Sequence, residues 1–438
     1  MRPLFTQRSV YGLLLILLCV KLGATVWSSS THEQIVYDQH HHLERARSAG
    51  LKMTRMAYNP PLYYFAAAPV QKDDRVRLRV LKLTNVVWVG LFYIAWLFII
   101  LPRVVPQRRA QLVVGLLLLA IPGYQKLAAM VHPDNLHAAL SAIALGAWLW
   151  FRREIESPPG SSWRSLLIVG FFISLAAWTR PFSAATVAAL SLALTVSMWR
   201  GYGWSRRFVV RLLAVGALIG VLSSSWYVCR WMDTGRLGPA YGRGWNARYA
   251  KDRVGFDFVH YYGSFYFKDL VKTPHRTDKP RIPDIRGVHN SFFTLMYSEV
   301  WGDHWLYYSG RKGTKKQWPK RILFVAALPL IPFLLWGWAR TIGVLSRRKR
   351  AFRTSWPVTM LALYALMGFA LYVAWQTQGG LTPGKNSGVK FIYNAYAFPL
   401  GLAFAFVRPL SARRFDAWVA YGLLLNLLAL PIAIYWPN

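Results

Sequence analysis

With 438 residues, 55% of them hydrophobic and 16% aromatic, and a positive mean hydropathy, the chain is too apolar for an ordinary soluble protein of its length and reads as an integral membrane protein. Its two cysteines, Cys19 and Cys229, lie in or beside apolar runs, which argues against a disulfide framework or a cysteine-based metal site. A formal net charge of +36 on such a protein points to lipid phosphates and anionic headgroups as partners, or to a plain solvated basic surface, rather than to nucleic acid.

A membrane-spanning helix needs roughly 20 mostly apolar residues. About eleven stretches qualify, near residues 10–27, 84–102, 111–130, 136–151, 165–179, 182–199, 209–229, 322–339, 356–375, 391–407 and 416–435. The expected fold class is therefore all-α: a polytopic bundle of about 11 transmembrane helices, forming one transmembrane domain over residues 1–438. The first stretch has a signal-peptide look, with Arg2 and Arg8 ahead of the apolar run and small residues near Ser28 to Ser30. It is expected to be retained, because its removal leaves the following loop without a membrane tether.

Short connections on one side carry Arg103, Arg108 and Arg109; Arg200, Arg206, Arg207 and Arg211; Arg347, Arg348, Lys349, Arg350 and Arg353; and Arg408, Arg413 and Arg414. The positive-inside rule places these in the cytoplasm with the N-terminus, and the C-terminus outside. Two long segments, 28–83 and 230–321, then fall on the outer face, and function is expected there. The second holds 18 Lys or Arg against 8 Asp or Glu, so the outer face is basic too.

The first long segment reads YDQHHHLERARSAG and then YNPPLYYFAAAP. Residues 32–50 suit a short helix lying on the membrane, with a capping-box start at Ser30 and Glu33 or at Thr31 and Gln34 and with Gly50 as a left-handed cap. Asp38 and His42 then share a face. Pro60 and Pro61 interrupt the helix, and a new one begins with Leu62, Tyr63 and Tyr64 at the interface. In the second segment, HNSFFTLMYSEVWGDHWLYYSG is amphipathic rather than spanning, and a position on the bilayer surface is expected.

Moving a sugar from a phosphate-linked lipid requires little of a protein. The phosphate leaving group is already a stable anion, which cations neutralise, and the acceptor hydroxyl needs one base. Glycoside hydrolysis typically needs two carboxylates at a set separation. Asp38 is the candidate base; it also suits the N-cap of the helix that follows, and the two roles are compatible. His40, His41 and His42 point in different directions on a helix, and no spaced motif completes a site, so neither a metal nor a cofactor is expected. His42 is a partner for Asp38 or for the substrate.

Between the third and fourth spans, VHPDNLHAAL sets His132, Asp134 and Asn135 on the outer face, as helix caps or as a second polar wall opposite Asp38. Arg180, before Pro181, and Arg230, ending SSSWYVCR, are either interface anchors or phosphate ligands. Trp301, Asp303 and His304 in EVWGDHW combine an aromatic surface with hydrogen-bonding groups, or pack a surface helix. Lys390 and Tyr393, after TPGKNSGVK, give a further phosphate contact or anchor.

In the order of these features the chain resembles the GT-C superfamily of integral-membrane glycosyltransferases, in its branch similar to protein mannosyltransferases and aminoarabinose transferases. Members of that branch often carry Asp-Glu-x-x-His after the first span; Asp38, Gln39 and His42 occupy that pattern, and Pro60 to Tyr64 matches the Pro-Pro-Leu-Tyr-Tyr stretch that follows. The turn at Asp134 and Asn135, Arg230 after a Trp-rich span end, the segment around Trp301, Gly302 and Asp303, and the run from Lys390 to Pro399 are similar to later family features.

The resemblance implies a GT-C-type bundle with extracytoplasmic interfacial helices. It also implies an inverting transfer from a polyprenyl- or dolichyl-phosphate sugar to a glycan, lipid or protein acceptor, with Asp38 as base. Arg180, Arg230 and Lys390 hold the phosphate in this picture. Gln39, His42, Tyr63, Tyr64, His132, Asp134, Asn135, Trp301, Asp303 and His304 shape the sugar or acceptor site, in a bacterial inner membrane with the site outside. Gln39 departs from the pattern: it can hydrogen-bond a sugar but cannot act as a base. Two rival readings stand beside this one, a transporter or flippase for a lipid-linked glycan and a catalytically silent relative that serves as an assembly partner.

Overall fold

The computed structural model describes residues 7–31, 62–67, 74–130, 132–157, 163–180, 183–235, 258–272, 291–302, 318–346, 356–379, 395–407 and 410–434. They form helices throughout, with no strand among the described residues. Five helices are long and apolar enough to cross a membrane, or up to seven if each of two bent pairs counts as one span. The chain is an integral membrane protein.

The described parts of the apolar stretches are mostly helical. Helix α1 (Gln7–Thr31) precedes the short α2 (Leu62–Ala67) and the long α3 (Asp74–Ile94). The last continues through a π-helical stretch, Ala95–Ile100, into a final turn, Leu101–Val104. Pro102 lacks an N–H and its ring crowds the carbonyl four residues back, and the wider π turn relieves that crowding.

The stretch expected as one span over 111–130 is broken. Helix α4 (Arg108–Ala120) meets α5 (Pro122–Ala129) at 55°. Pro122 starts α5 and pushes Ile121 to an extended backbone, φ −73° and ψ 111°. The break frees carbonyls that lipid cannot satisfy. Lys21, 5% exposed in the middle of α1, supplies the donor: its Nζ bonds the carbonyl of Leu119 and, at 3.2 Å, that of Ile121. An intramembrane lysine that looks isolated in the sequence is thus a helix cap.

Helices α6 (Asp134–Glu156), α7 (Trp163–Ala177), α8 (Ala184–Tyr202) and α9 (Arg206–Thr234) follow. Helix α6 packs on α3, α7 and α8, and α9 packs on α7. Helix α9 exposes Leu213 and Val221, as a lipid-facing helix does. Gly235 ends it in the left-handed conformation, φ +65°, its N–H on the carbonyl of Trp231.

The second long segment contributes three short helices, α10 (Phe258–Gly263), α11 (Phe267–Lys272) and α12 (Phe292–Trp301). Ser291 caps α12 by accepting from the Thr294 N–H at 3.2 Å. This helix covers residues 292–301 of the stretch expected to lie on the bilayer surface, yet eight of its residues are buried, so it is packed nearly all round. A second bent pair, α13 (Trp318–Ala327) and α14 (Leu330–Ser346), turns by 47° at the break before Leu330.

Helices α15 (Trp356–Gly379), α16 (Phe398–Ala405) and α17 (Ala412–Ile434) complete the bundle. Gly337 of α14 lies so near α16 that an added Cβ falls on the carbonyl oxygen of Gly401. This is the close backbone approach that small residues allow between membrane helices. The start of α4 is bracketed to the start of α17 by Gln107, whose Oε1 accepts from the Leu410 N–H at 2.8 Å.

Candidate functional site

Four elements meet at the end of the bundle predicted to face outside: helix α2, the upper part of α3, the turn between α5 and α6, and the turn after α7. Helix α2 docks because Tyr63 and Tyr64 bury their rings against Leu81 of α3, Leu136 and Leu140 of α6 and Ala176 of α7. The two rings pack edge to face, centroids 5.6 Å apart. The Leu62 N–H, a helix-start donor with no partner inside its own helix, bonds the carbonyl of Trp178 at 3.2 Å.

The Tyr63 hydroxyl donates to Oδ1 of Asn85 at 3.4 Å and receives the backbone N–H of His132. Burial pushes its pKa above the ordinary tyrosine value, so it stays a neutral donor. The Asn85 amide in turn donates to the carbonyl of Met130, which also accepts from Asn135 Nδ2 at 2.8 Å. Leu62 to Tyr64 and the Asp134 turn are therefore one structure.

Asp134 opens α6 and is fully buried. His132 Nδ1 stands 2.7 Å from its Oδ2. Arg180, from the turn after α7, brings Nε to 2.7 Å from Oδ1, a charge contact not aligned as a hydrogen bond, and donates from Nη2 to Oδ2 at 3.4 Å. Burial alone raises a carboxyl pKa, but the charges of Arg180 and His132 and the His132 hydrogen bond outweigh it and hold Asp134 down at about 2. The group is a fixed carboxylate at any physiological pH, suited to orienting Arg180 and His132 and not to cycling a proton.

His137, one turn further along α6, was not singled out from the sequence. The signal was available: three residues after Asp134, it shares that residue's helix face. Its Nδ1 lies 3.3 Å from Ser141 Oγ and 3.2 Å from Thr179 Oγ1, and its ring stands edge-on to Tyr396, centroids 4.8 Å apart.

Helix α5 connects this cluster to the second long segment. Its Lys126 pairs with Glu299 of α12, both fully buried, and its Tyr124 hydroxyl donates to the carbonyl of Ala395 at 2.8 Å, just before α16. Glu299 is the acidic group of EVWGDHW that the sequence pattern did not single out; a carboxylate in a helix otherwise buried among apolar side chains was its signal.

Of the other expected site residues, Arg230 sits 4% exposed on α9 with its guanidinium 5.4 Å from the centre of the Trp226 ring, a stacking that fixes the head group. Trp301 is 2% exposed and belongs to the main apolar core. Asp38, Gln39, His42, Asp303, His304 and Lys390 lie outside the described residues, as does the helix expected over 32–50. Among the described residues no group of three or more His, Cys, Asp or Glu is arranged to hold a metal ion.

No protein-family model and no curated protein matches the sequence. The fold does have solved counterparts. The crystal structure of ArnT from Cupriavidus metallidurans bound to undecaprenyl phosphate superposes with a TM-score of 0.53 at 15% identity, over 93% of this chain and 62% of that one. Its apo form gives 0.50 at 14% identity, over 94% and 62%. The Saccharomyces cerevisiae protein O-mannosyltransferase Pmt1-Pmt2 complex bound to the sugar donor gives 0.37 at 16% identity, over 54% and 35%. The all-helical, polytopic membrane fold expected from the sequence is thus the fold found, and the ArnT structures share it. The chain spans about 62% of the length of the ArnT structures it matches.

Proposed function

We propose that this chain is a GT-C-type glycosyltransferase that takes a sugar from a polyprenyl- or dolichyl-phosphate donor at the extracytoplasmic face and transfers it, with inversion, to a glycan, lipid or protein acceptor. The observation that carries the reading is the buried cluster of Asp134, His132 and Arg180, tied through Asn85 to Tyr63 of the Pro-Pro-Leu-Tyr-Tyr helix at the predicted outer end of a fold that ArnT shares. ArnT was solved with undecaprenyl phosphate, the lipid carrier class that this reading assigns to the chain.

In this scheme Asp38 takes the acceptor proton. The departing lipid phosphate needs only cations, and Arg230 and Lys390 provide them, with Arg180 lending what charge Asp134 leaves it. Gln39, His42, Tyr63, Tyr64, His132, Asp134 and Asn135 shape the sugar and acceptor site, together with Asp303 and His304 beyond the buried Trp301. The whole chain acts as one transmembrane domain whose segments 28–83 and 230–321 supply the catalytic and substrate loops, in a bacterial inner membrane. The test is transfer from a panel of labelled polyprenyl-phosphate sugars by purified protein in lipid nanodiscs. Transfer from one of them supports the reading, and donor binding without turnover of any sinks it in favour of a silent assembly partner, the role that Gln39 favours.

A second reading, a transporter for a lipid-linked glycan, draws on the two bent helix pairs, since broken helices line many transport sites. Against it, the first break is closed by Lys21 and faces packed side chains rather than a path for substrate. Movement of the donor across proteoliposomes without sugar transfer would favour the transporter.

A further inference from the structure

At the end of the bundle opposite Asp134, predicted to face the cytoplasm, helices α6 and α8 finish against each other. A Cβ added at Gly201 of α8 would stand 2.8 and 2.9 Å from the carbonyl oxygens of Ile155 and Glu156, so the two C-termini touch. Their last turns carry Arg152, Arg153 and Arg200. Two of these guanidiniums share one ring: Arg152 and Arg200 each stand 5.7 Å from the centre of the Trp356 indole, at the start of α15. That indole is itself held, buried and edge-on to Trp148 with centroids 5.8 Å apart, and Trp148 Nε1 donates to Ser197 Oγ at 3.1 Å.

The positive charge here exceeds the negative. Arg153 and Arg200 repel Arg152, and one carboxylate, Glu156, acts on all three; its Oε1 lies 3.6 Å from Arg152 Nε. The touching helix ends add roughly half a negative charge each, which leaves about one positive charge over. At the rim, Arg103 and Glu154 offset each other in formal charge, and Arg103 stacks on Trp150 at 4.3 Å. An arginine that only anchors a helix carries its charge out into water. The Arg152 side chain is instead 22% exposed and crowded by like charge, a repulsion that an anion bound among the three relieves. Trp150 and Trp199, 57% and 38% exposed beside the cluster, mark the depth of the bilayer interface.

We propose that Arg152, Arg153 and Arg200, gathered at Trp356, bind the phosphodiester headgroup of an anionic phospholipid such as phosphatidylglycerol, in the leaflet at this end of the bundle. The surplus charge matches that of one phosphodiester, and guanidiniums grip phosphate oxygens in bidentate fashion. The exposed tryptophans at the rim give the acyl chains an apolar wall, which a soluble phosphate does not use. The site does not depend on the transferase reading.

The test is binding of radiolabelled phosphatidylglycerol to the full chain in detergent at about 0.15 M salt, where exposed charges are screened beyond about 8 Å. Arg152→Gln combined with Arg200→Gln is expected to weaken binding by about 10- to 30-fold, the scale of two arginine–headgroup attractions. Arg206→Gln combined with Arg207→Gln removes the same charge from the exposed start of α9 and should weaken it by less than about 3-fold. Arg152→Lys combined with Arg200→Lys keeps the charge but loses the planar fork, and should fall between wild type and the first pair. Equal losses from the two glutamine pairs would show a diffuse basic face and overturn the site. Phosphatidylcholine bound as tightly as phosphatidylglycerol would overturn it too, and displacement of the lipid by excess inorganic phosphate would overturn the lipid assignment in favour of free phosphate. Should the first glutamine pair fail to fold, the lysine pair decides alone: binding as tight as wild type overturns the guanidinium contact.

Discussion

Asp134 and Arg180 meet across the predicted outer end of the bundle, Oδ1 to Nε at 2.7 Å, and so join the start of α6 to the turn that follows α7. His132 holds the other carboxylate oxygen. The contact explains how an ionised carboxylate survives complete burial at a turn between two helices, and it makes the turn sensitive to the loss of any one partner.

Removing one member should cost more than the pair is worth, because the other charge stays buried. Asp134→Ala or Arg180→Ala is expected to destabilise the protein by about 3–5 kcal/mol, read as thermal unfolding in detergent. The double variant should be less unstable than the sum of the two. Additive losses would show that the two side chains do not interact.

The pH dependence has a definite sign. The Asp134 carboxyl is held below its ordinary value, at about 2, so its contribution is complete above about pH 4 and is lost as pH falls toward about 2. The shift corresponds to about 2 kcal/mol. Stability measured from pH 5 down to pH 2 should show this loss in wild type and a shallower one in Asp134→Asn.

Tyr63 separates packing from hydrogen bonding. Tyr63→Phe keeps the ring among Leu81, Leu136 and Leu140 and removes only the hydroxyl that reaches Asn85; a loss of about 1 kcal/mol is expected. Tyr63→Ala should cost about 3–5 kcal/mol and release α2 from the bundle. Protease susceptibility near residues 62–67 is the readout, raised in the alanine variant alone.

Much of the fold was legible because hydropathy is a local signal: the described parts of the apolar stretches are mostly helical. The two breaks were not. Pro122 is visible in the sequence, but a proline in an apolar run is tolerated only when something satisfies the freed carbonyls, and that partner, Lys21, lies about a hundred residues earlier. In the same way Glu299 and Lys126 look like unrelated charges in apolar runs until α12 and α5 are packed together. Asp134 and Arg180 stand apart in the sequence, with helix capping and interface anchoring as their alternative roles, and their association with each other and with Tyr63 depends on how helices pack. His137 carries no motif of its own, and only its place three residues after Asp134 marks it. Trp301 could stack on a sugar or pack a surface helix, and its burial in the main core depends on packing that the sequence does not mark.

The approach of α14 to α16 can be tested with two glycines of one helix. Gly337→Ala places its Cβ on the carbonyl oxygen of Gly401, whereas a Cβ at Gly343 meets nothing within 4 Å. The first variant should lose about 1–3 kcal/mol by overpacking, and the second should be neutral or slightly more stable through better helix propensity. Thermal unfolding of the two side by side gives the comparison, and equal behaviour would contradict the backbone contact.

Lys21 should behave as a cap rather than as a charge. Lys21→Ala strips the carbonyl of Leu119 of its donor and leaves that of Ile121 only the Tyr124 N–H, and is expected to cost about 2–4 kcal/mol. Unchanged thermal stability in that variant would show that the break between α4 and α5 is held some other way.

The most direct test of the central claim is sugar transfer from labelled polyprenyl-phosphate donors in nanodiscs, comparing wild type with Asp38→Asn. A glycosyltransferase that uses Asp38 as its base predicts turnover in the wild type and its loss in the variant, with donor binding intact. Equal turnover in both would remove Asp38 from the mechanism, and donor binding without turnover in either would contradict the claim that this chain is an enzyme.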